Sequence, residues 1–327
     1  MNPPTTVSPP VDPANAAQSL PAAGFAVCVT TMNRTDTLAA CLDNLARCVP
    51  PPACIVVSDD SPEPATRAAN AAVAARHRGT VWVEGPRAGV CANRNNAVRH
   101  CLAHAPQCGY VAFLDDDIQP DVDFFAVAHD YVASLAPHQR GSVIFTGGAS
   151  SGPHLHECRP VRLSFMCYFA LGDEPECVNI HACVFPLALF RDEEWDENIF
   201  FGVEDAELSL RALRRGYAIR LAPGLRVRDT MPGSGVLHSP DPRGGLTRYQ
   251  QHCEAARLYV GVKRYRTIAP DALKLSAFMT WYFVHLCVYL MRRKSLRSLL
   301  PIIRTSNFTR VLNPPKNISN AHRIMAQ

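Results

Sequence analysis

Residues 110–120 read YVAFLDDDIQP: an apolar run, then three consecutive aspartates, then a proline that ends the pattern. An unbroken apolar run of this length, without polar alternation, marks a strand buried on both faces, as in a parallel sheet. Working outward, similar runs stand at 25–29 (FAVCV), 54–58 (CIVVS) and 80–84 (TVWVE). The segments between them carry helical periodicity. Thr35 is expected to cap a helix whose apolar face is Leu38, Cys41, Leu42 and Leu45, and further helices are expected over 64–77 and 89–105. Strands alternating with helices predict an α/β fold, a doubly wound and mostly parallel sheet with helices on both faces. Such sheets bind ligands beyond the carboxyl ends of their strands. Those ends hold Thr30 and Thr31, Asp59 and Asp60, and Asp115, Asp116 and Asp117.

Past Ala149 the pattern loosens. SSGPHLHECRP reads as a loop, 178–185 (VNIHACVF) as a strand and 204–215 as a helix. From Thr247 the chain is helical again, with an apolar span at 275–291 followed by Arg292, Arg293 and Lys294.

The 327 residues are 47% hydrophobic and 19% charged, a globular composition that excludes a collagen, a coiled coil and a disulfide mini-protein. Six of the 27 prolines fall within the first 21 residues, so residues 1–24 read as a disordered Pro-rich tail. Net charge is +4 but uneven: residues 255–327 hold 13 Lys or Arg and one acid, Asp271, whereas residues 1–254 hold 20 bases and 28 acids. A +12 module on a −8 body suggests an anionic surface as partner. The 13 cysteines are odd in number and spread through apparent strands and helices, which reads as buried thiols in a reducing compartment. With no signal-peptide pattern at the start, a cytoplasmic location is expected.

Three carboxylates leaving a buried strand repel one another unless a cation or a hydrogen-bond network compensates. Hard oxygen ligands suit Mg²⁺ or Mn²⁺ completed by substrate phosphates. On an extended segment Asp115 and Asp117 point the same way and Asp116 the other. The plain alternative is an acidic turn closed by Pro120. Glu204 and Asp205 follow Phe200 and Phe201 and open an amphipathic helix. Acids there complement the helix dipole, or, part-buried among aromatics, one serves as a general base. Arg94, near the start of the 89–105 helix, suits a phosphate.

The succession AVCVTTMNRTDTLAACLDNL, IVVSDDSPEP, GVCANRNNAV, FLDDDIQP and FFGVEDAELSLRALRRGY resembles the family 2 glycosyltransferases of the GT-A fold, over roughly residues 25–265. That resemblance implies a nucleotide-sugar donor, a UDP-sugar first among the candidates, and an inverting, metal-assisted transfer. It implies that Thr30, Thr31 and Arg34 flank the nucleotide, that Asp59 or Asp60 faces the base, and that Arg94 approaches the diphosphate or ribose, with Asp116 in the same group. Asp115 and Asp117 would bracket Mg²⁺ or Mn²⁺. Asp205 would be the base and Glu204 would orient it or the acceptor, a glycan, a lipid-linked sugar or a polysaccharide. A further metal ligand, often histidine in the family, falls here on Asp229 or, from a displaced loop, His238.

Rival readings are a sugar nucleotidyltransferase, which should carry a glycine-rich loop where VTTMNRTD has none, and a non-catalytic membrane-docked protein that keeps the fold. HLHEC with Cys167, Cys177, His181 and Cys183 fits no compact zinc spacing and reads as acceptor loop and core. The organisation expected is a tail (1–24), a transferase domain (25–265) and a helical module (266–327). In that module the 17-residue span is short for a bilayer crossing of ~20 residues. A core helix and a single span are both open, but the cationic flank favours an interfacial helix at the inner face of an anionic membrane. No nucleic acid is expected as a partner.

Overall fold

The structure is a computed structural model that describes residues 24–151, 154–155, 158–231 and 245–313. The Pro-rich tail up to residue 23 and His238 lie outside the described residues. The chain divides into two units. One comprises Met1–Arg162, Ala170–Glu197 and Leu208–Gly233; the other comprises Leu163–Phe169, Asn198–Glu207 and Ser234–Gln327.

The first unit begins with β1 (Gly24–Thr31), α1 (Thr35–Ala46), β2 (Cys54–Asp59), α2 (Pro64–Ala74), β3 (Thr80–Glu84), α3 (Val90–His104) and β4 (Cys108–Asp115). It continues through β5 (Ile118–Pro120), α4 (Phe124–Ala133), β6 (Val143–Ser151), β7 (His154–Leu155) and a hairpin of β8 (Val161–Leu163) and β9 (Phe169–Leu171), whose tip, Leu163–Phe169, belongs to the second unit. Then come β10 (Cys183–Pro186), α5 (Leu189–Asp192), α6 (Glu204–Arg214), whose first turn belongs to the second unit, and β11 (Ala218–Asp229). The main sheet runs β3-β2-β1-β4-β10-β6-β11-β5, with β7 beside β6. β3, β2, β1 and β4 are parallel, as is the pair β6 and β11, whereas β10 and β5 run antiparallel to their neighbours.

Alternation sets the two faces. Tyr110, Ala112 and Leu114 of β4 join Leu38, Leu42 and Leu45 of α1 and Phe124 and Phe125 of α4 in one buried cluster. On the other face Phe113 meets Phe185, Phe190 and Trp195, ring centroids 5.9, 5.1 and 5.1 Å away.

Three expectations are corrected. Arg34, not Thr35, stands in the cap position of α1, and no side chain caps it; the Thr35 hydroxyl instead donates to Asn70 Oδ1 at 2.7 Å. The stretch 178–185 is not one strand: a 3₁₀ turn over Ile180–Ala182 precedes β10, fixed by the N–H of Asn179 on Thr146 Oγ1 at 2.8 Å. The carboxylate run does not stay extended, because Asp116 and Asp117 form a two-residue turn between β4 and β5.

The second unit holds α7 (Arg248–Lys263), α8 (Ala272–Arg292), α9 (Leu299–Thr305) and α10 (Phe308–Leu312). α7 opens with a capping box between Thr247 and Gln250, and Asp271 caps α8 through the N–H of Lys274.

Candidate active site

Strand order reverses between β1 and β4, the switch point at which an open α/β sheet leaves a crevice beyond its carboxyl ends. The two strands bring Thr30 level with Asp115. The Thr30 hydroxyl donates to Asp115 Oδ1 at 2.7 Å, and the Thr31 hydroxyl donates to Asp116 Oδ2 at 2.6 Å. Asp115, the last residue of β4, faces Arg94 of α3, and Asp116, in the turn that follows, faces Arg34 at the start of α1. Arg94 of α3, 2% exposed with its guanidinium 5.3 Å over the Trp195 ring, lies 3.4 Å from Asp115 Oδ1. Arg34 clamps the turn, reaching Asp116 Oδ1 at 2.5 Å and Asp117 Oδ2 at 2.6 Å.

These partners set opposite charge states. Burial works against ionisation of Asp115, but Arg94, His181, the Thr30 hydroxyl and Arg34 outweigh it and hold its pKa down at about 2. At Asp116 burial prevails over Arg34 and Thr31, with Asp117 and Asp115 adding repulsion, and its pKa is pushed up to about 7. The Asp115 and Asp117 side chains keep 26% and 16% of their surface exposed, whereas that of Asp116 keeps 0%. A ligand entering the crevice meets Asp115 and Asp117.

Asp59 and Asp60, at the end of β2, differ in what remains open on each. Asp59 is 0% exposed and accepts from the N–H of Ser61 (2.9 Å), Asn70 Nδ2 (2.9 Å) and Trp82 Nε1 (3.2 Å). Asp60 accepts from the N–H of Arg87 at 2.8 Å, and burial raises its pKa. Asp59 is thus held in a structural knot with three donors, leaving Asp60 the better acceptor for a ligand N–H.

Asp229 lies across from Ile118 at the end of β11. The N–H and hydroxyl of Thr230 both donate to the backbone carbonyl of Asp117, at 3.0 and 2.8 Å, and Asp229 Oδ1 accepts from the N–H of Met231 at 2.9 Å. The β11 end is therefore stitched to the aspartate turn. Among the described residues no three His, Cys, Asp or Glu side chains form a ready-made metal cage. His181, assigned to the acceptor loop and core from sequence, sits in the 3₁₀ turn before β10 with Nε2 3.6 Å from Asp115 Oδ2 and with a buried Nδ1 that has no hydrogen-bond partner among the described residues. No spacing in the sequence marks it; the antiparallel insertion of β10 beside β4 brings it there.

In the second unit, Gly202 (φ 91°) and Val203 (φ 62°) are both left-handed immediately before Glu204. A β-branched residue resists this conformation, so the start of α6 is held against local preference. Around it Phe200 stacks on His252 at 4.5 Å and Phe201 lies 5.4 Å from Tyr249. Glu204 is 7% exposed. Burial, Cys253 and the charges of Glu204 and Asp205 push the Tyr249 hydroxyl up to about 12. The Asp205 carboxylate Oδ1 lies 2.7 Å from the N–H of Ala206.

The model of Glycosyl transferase family 2 matches residues 26–196, just over half of the chain. No curated protein matches the sequence. Among solved structures, S. aureus TarS 1–349 with UDP-GlcNAc superposes with a TM-score of 0.56 at 14% identity, covering 88% of this chain and 81% of that one. TarS 1–349 with UDP gives 0.52 at 13%, covering 80% and 72%. A longer TarS chain gives 0.52 at 13%, and this protein spans 43% of its length. At such identities the likeness establishes the fold, a mostly parallel GT-A sheet with helices beyond it. With the family match across β1 to β10, the chain belongs to the family 2 glycosyltransferases.

Proposed function

We propose that this protein transfers a sugar from a nucleoside-diphosphate donor, a UDP-sugar foremost, to a hydroxyl of a glycan, lipid-linked sugar or polysaccharide, with inversion at the anomeric carbon. The observation that carries the reading is the paired cluster Thr30–Asp115–Arg94 and Thr31–Asp116–Arg34–Asp117 at the switch point of the sheet. Asp60, with acceptor capacity left over, suits the imide N–H of uracil. Arg34 and Arg94 neutralise a diphosphate that would otherwise face three carboxylates.

The donor set fits a divalent cation held by one or two carboxylates together with substrate phosphates, rather than one caged by protein alone. Asp115 and Asp117 would hold it, with Asp229 or His238 as a further ligand. Such an ion supplies Lewis-acid stabilisation of charge on the leaving diphosphate. The chain's own part is proton transfer and positioning. As the acceptor oxygen bonds to the anomeric carbon, its proton passes to the Asp205 carboxylate. In the same step the anomeric C–O bond on the opposite face breaks, its electron pair leaving on the diphosphate. Glu204 orients the acceptor hydroxyl or Asp205.

Incubation of the purified protein with a panel of nucleotide sugars and Mn²⁺, with free nucleoside diphosphate as the readout, tests this. The expected result is slow donor hydrolysis for one sugar, accelerated by the right acceptor. Release of inorganic pyrophosphate from a nucleoside triphosphate and a sugar phosphate would instead assign a nucleotidyltransferase.

A further inference from the structure

α8 has two apolar faces, and the second unit covers one of them. Phe278, Tyr282, Leu286 and Leu290, four residues apart, are each 0% exposed. Phe278 packs against Phe165 and Tyr265 with ring centroids 6.4 and 5.9 Å away, and the Tyr282 hydroxyl donates to the backbone carbonyl of Glu254 at 2.9 Å. Arg257, buried and ion-paired with Glu254, lies 4.8 Å from the Tyr282 ring centroid and 4.1 Å from that of Tyr168.

The opposite face is apolar and open. Leu273, Trp281, Val284, Val288 and Met291 are 84, 60, 50, 38 and 54% exposed. With the part-buried Ala277 between the first two, they follow one another by three or four residues throughout, one continuous stripe. Leu296 and Leu300 extend the exposed apolar surface past the helix end at 53 and 60%. Ser276, Thr280 and His285 are the other exposed side chains between Lys274 and Arg292, so no formally charged residue interrupts the stripe.

Charge identifies what fits. Exposed Arg292, Arg293, Lys294, Arg304 and Arg310 follow the stripe, and no acid occurs after Asp271 in the whole sequence. A second copy seated on this face in parallel would place one basic helix end against another, and antiparallel would set the basic cluster against a helix end whose one acid, Asp271, is already paired with Lys274 at 3.2 Å. α8 is long and apolar enough to cross a membrane, but Phe278, Tyr282, Leu286 and Leu290 are packed against the second unit, so lipid would reach one side of it only, which favours a helix lying in the surface. We propose that the stripe from Leu273 to Met291, with Leu296 and Leu300, lies in the plane of a membrane surface. There the apolar side chains enter the acyl boundary and the basic cluster meets anionic headgroups. This surface is independent of the transferase reading, since it uses no residue of the donor site.

The test is co-sedimentation of the full chain with vesicles of phosphatidylglycerol and phosphatidylcholine in equal parts, or of phosphatidylcholine alone, with Trp fluorescence read alongside. The expected result is pelleting with the anionic vesicles and a blue shift that Trp281→Phe removes. Trp281→Asp with Val284→Asp should lower partitioning roughly a hundredfold, whatever the salt. Arg292→Glu, Arg293→Glu and Lys294→Glu together should lower it roughly tenfold at low salt and less at high salt. All variants must melt within a few degrees of wild type, as exposed substitutions do. Wild-type protein left in the supernatant with both vesicles overturns the proposal. So does pelleting without any change at Trp281, or a dimer in solution that Val288→Asp dissociates. Donor hydrolysis, measured without lipid, stays unchanged in these variants, so failure of this proposal is separable from failure of the catalytic one.

Discussion

Arg34 neutralises two carboxylates at once, and its loss leaves Asp116, fully buried, without its cation. Removing one partner of a buried ion pair costs roughly 3–5 kcal/mol; with a third of the Arg34 side chain exposed, Arg34→Ala is expected to cost about 2 kcal/mol in urea unfolding at pH 8. The cost should shrink toward pH 5. Asp116 has a folded pKa raised to about 7, so below that value it takes up a proton and needs no partner. By the same sign, its own contribution to wild-type stability declines as pH rises from its unfolded value of about 3.9 through about 7. Asp59 and Asp60 separate two roles that the sequence left joined. Asp59→Asn sets an amide against Asn70 and Trp82 and should cost about 1–3 kcal/mol of stability. Asp60→Asn should leave the melting point near wild type and weaken UDP binding by roughly tenfold, about 1.4 kcal/mol, in calorimetry. The two adjacent aspartates look alike in sequence, and their difference arises from Asn70 of α2 and Trp82 of β3 closing over one of them.

Among the elements, β1, β2 and β4 were legible because both of their faces are buried and their apolar runs are continuous, and the half-exposed edge strand β3 was legible from its β-branched and aromatic residues, TVWVE. β6 and β11 were not. β11 alternates exposed Arg220, Arg226 and Arg228 with buried partners and is interrupted at Pro223–Gly224, where its register on β6 shifts between Leu221 and Arg226. Gly147 makes that irregularity possible: a Cβ there would collide with the backbone oxygen of Leu225. Gly147→Ala must push the two strands apart and is expected to cost about 1–3 kcal/mol in thermal or denaturant unfolding. The 3₁₀ turn carrying His181 was hidden for a related reason, since its apolar neighbours read as one strand with β10. The helix-opening acids Glu204 and Asp205 were legible, but the left-handed pair Gly202–Val203 that holds them was not, because valine gives no local signal for positive φ. Val203→Gly should relieve this conformation and raise stability by up to about 1 kcal/mol, while loosening the turn and lowering turnover.

Across the whole molecule, the sequence marks a change of character near residue 255 through charge, from −8 to +12. The structural division is interleaved instead, with Leu163–Phe169 and Asn198–Glu207 joining the C-terminal helices. Composition along a chain reports a surface; it does not report which distant segments share a core. The family match covers the donor-side strands and stops at residue 196, before α6, so the base rests on the motif at 204–205 and on the chemistry it would perform. The most direct measurement is therefore on Asp205→Asn. With the donor that wild type consumes, the variant is expected to bind UDP within about threefold of wild type yet turn over at less than about a tenth of its rate, because a base acts in the transition state and adds little to ground-state affinity. The wild-type product should show the inverted anomeric configuration by NMR. A variant that keeps more than about a tenth of the turnover, or a wild-type product with retained configuration, would contradict the account.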